Sequence, residues 1–206
     1  MDIIKNVKVY GLEESIKRAK YPMSVDIDKL NSELTPGIQG LANSKKGEGH
    51  DQWLTGVIVQ FDLTFTVKAW VEAERYHFLD FISSQSTMHR ITKFDLDKAY
   101  IDYVDYRMVG IMKEKVERYN RLVALKPEAD LPEYNQEIKD AYLEILYSNP
   151  CGFRLTAGMT TNYRQLKTIY SQRKNHRLPE WRSFCDAILE LPMFKELCLG
   201  GDRDEQ

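Results

Sequence analysis

From residue 57 to residue 71 every odd position is apolar: Val57, Val59, Phe61, Leu63, Phe65, Val67, Ala69 and Val71. Between most of them stand Gln60, Asp62, Thr64, Thr66 and Lys68. Side chains on a strand point to alternate faces, so this pattern gives one buried and one wetter face. A chain holding such a stretch must build part of its core on a sheet. The stretch is long for one strand, and a bend or bulge is expected near residues 60–62.

Around it the periodicity changes. A short strand is expected at residues 7–10, then a helix over 12–20 with Ile16 and Ala19 inward and Pro22 as its stop. Residues 35–49 carry Pro36, Gly37, Gly40, Gly47 and Gly49 beside Lys45 and Lys46, and read as a loop with room for one helical turn. Helical spacing is expected over 72–85 and again over 95–124. The Tyr100, Tyr103, Tyr106, Met108, Ile111 and Val116 stripe of the second reads as core or subunit interface. A turn at 127–132, a helix through Tyr147, a strand at 153–161, a helix opening at Asn162 and a last one over 179–191 follow. Residues 201–206 are expected to be a disordered tail.

The length fits one domain, taken as residues 1–200. Lysine and arginine total 29 against 31 aspartate and glutamate, so no global basic field draws in a nucleic-acid polymer. An anionic ligand must be held by a local cluster. Cys151, Cys185 and Cys198 lack C-x-x-C spacing and no secretory segment is visible, which points to reduced thiols in a cytoplasmic protein. No His/Cys pair has metal-ligand spacing, so no metal is expected. No apolar run approaches the roughly 18 residues of a membrane span, so no membrane partner is expected.

Two polar stretches carry the candidate chemistry. In residues 162–180, Asn162, Arg164 and Thr168 open a helix, and Arg173, His176 and Glu180 close the stretch. A helix N-terminus lined with Asn and Arg favours an anion, since its free N–H groups and dipole attract negative charge. A solvated amphipathic helix fits the same pattern. The second stretch, Ser83-Ser84-Gln85-Ser86-Thr87-Met88-His89-Arg90, is too polar to bury unless hydrogen-bonded. It lacks the G-x-S-x-G elbow of a serine nucleophile. As a binding loop, Gln85 offers amide bonds while His89 and Arg90 address an anion. His50, in G-E-G-H-D-Q, reads as structural or solvated, and His77 as packed on an aromatic helix face.

These motifs resemble those of the flavin-dependent thymidylate synthases, the ThyX family. The resemblance rests on Q-x-x-x-H-R at residues 85–90 and N-x-R-x-L-x-x-[FI]-x-x-x-R at 162–173, followed by His and Glu. S-I-K-R-A-K is similar to the family's R-A-A-R helix, His50 stands at the His of its H-E-T-P-F-E-H segment, and L-T-F-T-V-K-A resembles F-T-F-H-V-K-A. The order agrees over roughly residues 7–188. The resemblance implies an α/β fold of the α+β type, with a central, mostly antiparallel sheet flanked by long helices. It implies a homotetramer with FAD and dUMP at sites shared between subunits. The implied reaction moves a methylene from methylenetetrahydrofolate to C5 of dUMP, with reducing equivalents from NADPH through the flavin. His50, His89, Arg90, Asn162, Arg164, Thr168 and His176 match FAD positions. Gln85 and Arg173 match positions facing the pyrimidine and are the catalytic candidates.

The departures are specific. Along the family signature R-H-R-x-x-S-x-N-E-x-S-x-R-Y, Met88 replaces the first Arg, Asp95-Leu96 the Asn-Glu pair, Lys98 the second Ser and Tyr100 the last Arg. A further family Arg falls near Leu146 and a Ser near Pro22. Lys93, Lys98 and Tyr100 are therefore carried as substrate-binding candidates, with lysine a mobile point charge where the family has a fork. Three readings follow: thymidylate synthesis, a related flavin reaction on another nucleotide, or a non-catalytic oligomeric binding protein.

Overall fold

The alternation that begins at Val57 stops being a strand at Thr66, and a helix takes over. The computed structural model describes residues 3–45, 47–127 and 131–200. In chain order the elements are β1 (Ile4–Tyr10), α1 (Leu12–Ala19), α2 (Pro36–Ala42), β2 (Ile58–Thr66), α3 (Val67–Ala73), β3 (Asp80–Ser84), α4 (Thr87–Arg90), α5 (Tyr106–Ala124), α6 (Pro132–Ser148), β4 (Arg154–Asn162), α7 (Tyr163–Arg173), α8 (Pro179–Ile188) and α9 (Phe194–Cys198). The strands form a four-stranded antiparallel sheet, β1-β2-β4-β3. This is the expected mixed α/β fold. The expected tail at 201–206, Lys46 and residues 128–130 lie outside the described residues.

The chain divides into two compact units. The first comprises the described residues of Met1–Leu63, Glu72–Ser83 and Ala157–Gln206. Here β2 buries Val59, Phe61 and Leu63 on one face. The expected irregularity lies opposite residues 60–62, but on the partner strand. Lys5 pairs with Asp62 and Lys8 with Gln60, so β1 spends one residue more than β2. Asn6 absorbs the difference at φ 52 and donates from Nδ2 to Asp62 Oδ2 at 2.6 Å. Gly11, at φ 72, turns β1 into α1, and a Cβ there would lie 2.7 Å from the Gly56 carbonyl oxygen.

The loop expected over 35–49 contains a true helix. Thr35 accepts the Ile38 N–H at its hydroxyl, Pro36 sits in the first turn, and Ile38 and Ala42 are buried one turn apart. Ile38 packs with Ile16 and Ala19 of α1, and Trp53 joins them. The helix expected over 72–85 is also corrected. Phe78 adopts φ 65, which ends helical geometry, and residues 80–84 form an exposed edge strand. His77, expected to be packed, is exposed.

The second unit comprises Thr64–Val71 and Ser84–Thr156. Its start explains why the strand ends at Thr66. The Thr66 hydroxyl accepts from Ala69 N–H at 3.2 Å, while Val67 and Lys68 N–H donate to the Phe153 and Cys151 carbonyls, both at 2.9 Å. The first-turn donors of α3 are thereby satisfied, so a helix costs nothing at this point. The helix expected over 95–124 begins only at Tyr106, capped by Asp105. Upstream, Ile101 N–H bonds the Gly152 carbonyl and Arg154 N–H bonds the Ala99 carbonyl, which commits that backbone to a bridge between Tyr100 and Phe153. Ile91, Leu96, Tyr100, Met112, Ile145 and Phe153 form the core of this unit. On α5 and α6, Lys115 and Arg118 both reach Glu144. Among the described residues no helix is long and apolar enough to cross a membrane.

Candidate functional site

In the first unit the β4–α7 junction carries the N-x-R motif. Asn162 adopts extended backbone angles and accepts the Gln165 N–H at its side-chain oxygen, 2.9 Å away. Tyr163 N–H bonds the Val57 carbonyl at 3.1 Å. Two first-turn donors of α7 are thus already engaged, which weakens the helix end as an anion cradle and shifts the work to side chains. With its oxygen used as a cap, Asn162 has amide N–H groups that make no hydrogen bond among the described residues.

Arg164, two residues on, is held by the segment that follows His50. Its Nε donates to Asp51 Oδ1 at 2.9 Å and its Nη1 to Gln52 Oε1 at 2.7 Å. Lys167 donates from Nζ to Asp51 Oδ2 at 3.2 Å and to the Ala42 carbonyl at 2.7 Å. Asp51 and Gln52 follow His50, which is exposed at the head of the 3-10 turn His50–Gly56, after a left-handed Gly49. The structure therefore draws the His50 segment and the start of α7 together. Thr168 turns inward along its own helix, its hydroxyl donating to the Arg164 carbonyl at 3.2 Å.

Arg173 ends α7 with only 7% of its surface exposed. Its Nε donates to the Tyr76 hydroxyl at 2.6 Å and its Nη1 to Glu72 Oε2 at 3.1 Å. The guanidinium carbon lies 5.4 Å from the Tyr76 ring centre and 4.9 Å from that of Trp181. His176 accepts the Leu178 N–H at Nδ1, 3.2 Å away. Nε2 lies 3.3 Å from Glu72 Oε2. Arg173 Nη1 lies 2.7 Å from His176 Nε2, and both nitrogens face the same carboxylate oxygen of Glu72. Sequence reasoning missed Asp51, Glu72, Tyr76 and Trp181. Asp51 had a visible signal in its place beside His50, whereas Glu72 had none.

In the second unit Gln85 forms a reciprocal pair with Thr156. Its N–H donates to the Thr156 carbonyl at 3.0 Å and its side-chain oxygen accepts the Thr156 N–H at 2.9 Å. The exposed Gln85 amide N–H groups make no hydrogen bond among the described residues. His89 and Arg90 are exposed on α4, and Tyr142 steadies that turn by donating to the Met88 carbonyl at 2.9 Å. Lys93 is exposed in the 3-10 turn that follows. Lys98 pairs with Asp95 at 3.0 Å, and that contact holds the Asp95 carboxyl below its ordinary range.

Tyr100 stands apart. It is 6% exposed, its hydroxyl donates to Asn149 Oδ1 at 2.8 Å, and its ring meets the edge of Phe153. Burial pushes its pKa up to about 12. Its hydroxyl is spent within the protein, so it offers a ligand little. Leu146, where the family has an arginine, packs on the same core. Among the described residues no group of His, Cys, Asp and Glu is arranged to hold a metal ion. An open groove of about 790 Å³ beside β1 and α8, lined by Ile4, Val7, Val9, Ala187 and Leu191, contains none of these site residues.

No family model matches the chain, and no curated protein matches it. Solved structures do. A flavin-dependent thymidylate synthase ThyX from Helicobacter pylori complexed with FAD and dUMP matches with a TM-score of 0.65 at 13% identity, covering 95% of this chain and 98% of that one. A second structure of Helicobacter pylori ThyX with FAD and dUMP matches with the same TM-score and identity, covering 96% of both chains. At this identity the likeness shows the fold, which is ThyX-like.

Proposed function

We propose that this chain is an FAD-dependent enzyme that methylates a pyrimidine deoxynucleotide, converting dUMP to dTMP with methylenetetrahydrofolate and NADPH. The observation that carries the reading is the β4–α7 junction. There Asn162, capped and with free amide donors, adjoins an Arg164 that Asp51 and Gln52 hold in place. That donor set, in a fold shared with proteins bearing FAD and dUMP, fits a diphosphate-bearing flavin. FAD, when bound, supplies hydride chemistry and relays reducing equivalents from NADPH.

The chain's own residues bind and orient. In the first unit Asn162, Arg164 and His176, with His50 and Thr168, are cofactor-binding residues; in the second unit His89 and Arg90 are. Gln85 presents its amide to the pyrimidine, and Arg173 places a guanidinium where negative charge develops on the ring as C5 is activated. Lys93 and Lys98 are the cations left to meet a nucleotide phosphate. We further propose that the protein works as a homotetramer in the cytoplasm.

Purification provides the test. The protein is expected to be yellow, to quench flavin fluorescence on titration and to release tritium from C5-labelled dUMP when folate and NADPH are supplied. Colourless protein with no FAD binding sinks the reading. A second reading, the same chemistry on another nucleotide, is favoured by the second unit. Tyr100 and Leu146 stand in its core, and Lys98 is already paired. Flavin binding without release from dUMP selects that alternative.

A further inference from the structure

A loop of the first unit projects apolar side chains into solvent. In residues 23–28, Met-Ser-Val-Asp-Ile-Asp, apolar and polar residues alternate. Met23 is 94% exposed, Val25 is fully exposed and Ile27 is 48% exposed. The loop is nonetheless fixed in shape. Lys20 Nζ closes its base by donating to the Asn31 carbonyl at 3.0 Å and to Asn31 Oδ1 at 2.7 Å. Inside it the Ser24 hydroxyl donates to the Asp26 carbonyl at 2.9 Å, and the Asp28 N–H to Asp26 Oδ1 at 3.2 Å. A preshaped apolar knob of this kind needs little further ordering to dock.

The same unit carries a recess to match. β1 is an outer strand of the sheet, and its Ile4 and Val9 stand opposite Leu63 and Val59, on the apolar face. α8 covers that face over β2, where the Phe184 and Phe61 ring centres lie 5.9 Å apart. Ile4, Val7 and Val9 stay half-buried, and with Ala187 and Leu191 they line the groove of about 790 Å³. The two rims differ in charge. Lys8 stands on the β1 side, Asp186 and Glu190 on the α8 side. The loop carries a counterpart to each rim, because Asp28 and Lys29 follow Ile27 directly.

We propose that the groove of one copy takes the 23–29 loop of a second copy. Met23, Val25 and Ile27 cover Ile4, Val7 and Val9, while Asp28 turns toward Lys8 and Lys29 toward Asp186 and Glu190. Each copy has both loop and groove, so a two-fold pair makes the contact twice. Edge-to-edge pairing of two β1 strands is the poorer solution, because it sets the Lys5 and Lys8 faces of the two strands side by side. Apolar burial supplies the affinity, and the charged rims fix the register. The contact uses no residue assigned to flavin or nucleotide. Apoprotein therefore tests it, and the flavin reading stands or falls separately.

Val25→Asp, Lys8→Glu and Asp28→Lys are made in the full chain and followed by sedimentation velocity over a concentration series without flavin. All three positions are exposed, so circular dichroism is expected to match wild type. Val25→Asp is expected to weaken self-association more than about tenfold, at low and high salt alike. Each charge variant is expected to weaken it about tenfold at low salt and by less at about 0.5 M salt. Where other faces also join copies, the loss reads as a halving of particle mass. The decisive arm mixes Lys8→Glu with Asp28→Lys. The acidic groove of the first then receives the basic loop of the second, and the acidic loop of the first meets the second's Lys8. Wild-type association is expected to return in the mixture. A wild type that stays monomeric overturns the inference, as does wild-type association in Val25→Asp or in both charge variants. Charge variants that weaken association but do not recover on mixing overturn it too, since those residues would not share one contact.

Discussion

The Asp51 carboxylate accepts from Arg164 Nε at 2.9 Å across a sequence separation of 113 residues. Its other oxygen takes Lys167, so one acidic side chain holds two cations of α7 against the segment led by His50. Asp51 is 17% exposed and Arg164 38%, which makes the pair worth more than a surface contact and less than a sealed one.

Asp51→Asn should therefore destabilise the protein by about 1–3 kcal/mol, because two cations would face each other over a neutral amide. Urea unfolding measures this. FAD affinity should fall in parallel, since Arg164 loses the contact that orients it. Unchanged stability would show that the pair is only a surface arrangement.

Asn162 has two separable jobs, and two substitutions tell them apart. Asn162→Ala removes the cap and should cost about 1 kcal/mol. Asn162→Asp keeps a capping oxygen and places negative charge at a helix start, so stability should hold. The aspartate has no amide N–H, however, and it repels a phosphate. Flavin binding should fall in both variants, by more in the aspartate. Full flavin binding by Asn162→Asp would remove Asn162 from the cofactor site.

The β4–α7 junction was legible because it depends on local chemistry: an Asn before a helical run is a cap wherever it occurs. The core face of β2 was legible for the same reason, through alternation at Val59, Phe61 and Leu63. What misled was backbone satisfied from far away. Alternation continues through Val67 and Ala69, but the Phe153 and Cys151 carbonyls accept the first-turn donors of α3 and make a helix possible there. Likewise Tyr100, Tyr103 and Tyr106 have helical spacing, yet the backbone at residues 99–101 is engaged by residues 152–154, and the helix starts only at Tyr106. Glu72 was illegible because its partners Arg173 and His176 lie about a hundred residues on.

The thiols give a test of the fold that needs no ligand. Burial pushes Cys185 and Cys198 from the ordinary 9.0 up to about 12, whereas Cys151 is exposed. A disulfide reagent at pH 8 should modify Cys151 alone in the native protein and all three thiols after unfolding. The same shifts set an alkaline limit. Above pH 9 the unfolded chain loses thiol protons that the folded chain keeps, so stability is complete below about pH 9 and declines toward pH 12. Tyr100, raised from 10.0 to about 12, steepens the decline from pH 10 upward. Denaturant midpoints measured from pH 8 to 11 should fall monotonically.

Arg173 should be the most expensive side chain of the site to remove. Truncation to alanine takes the guanidinium from the half-buried Glu72 and empties the slot between Tyr76 and Trp181. Breaking such a pair from one side costs about 3–5 kcal/mol. Arg173→Lys keeps the charge but cannot bond Tyr76 and Glu72 together from one planar group, so it should recover only part of that loss. The order of unfolding midpoints should be wild type, then lysine, then alanine. Trp181, 0% exposed beneath the guanidinium, should report the change as a shift in tryptophan emission. An alanine variant as stable as wild type would mean that the Glu72 carboxylate does not depend on Arg173.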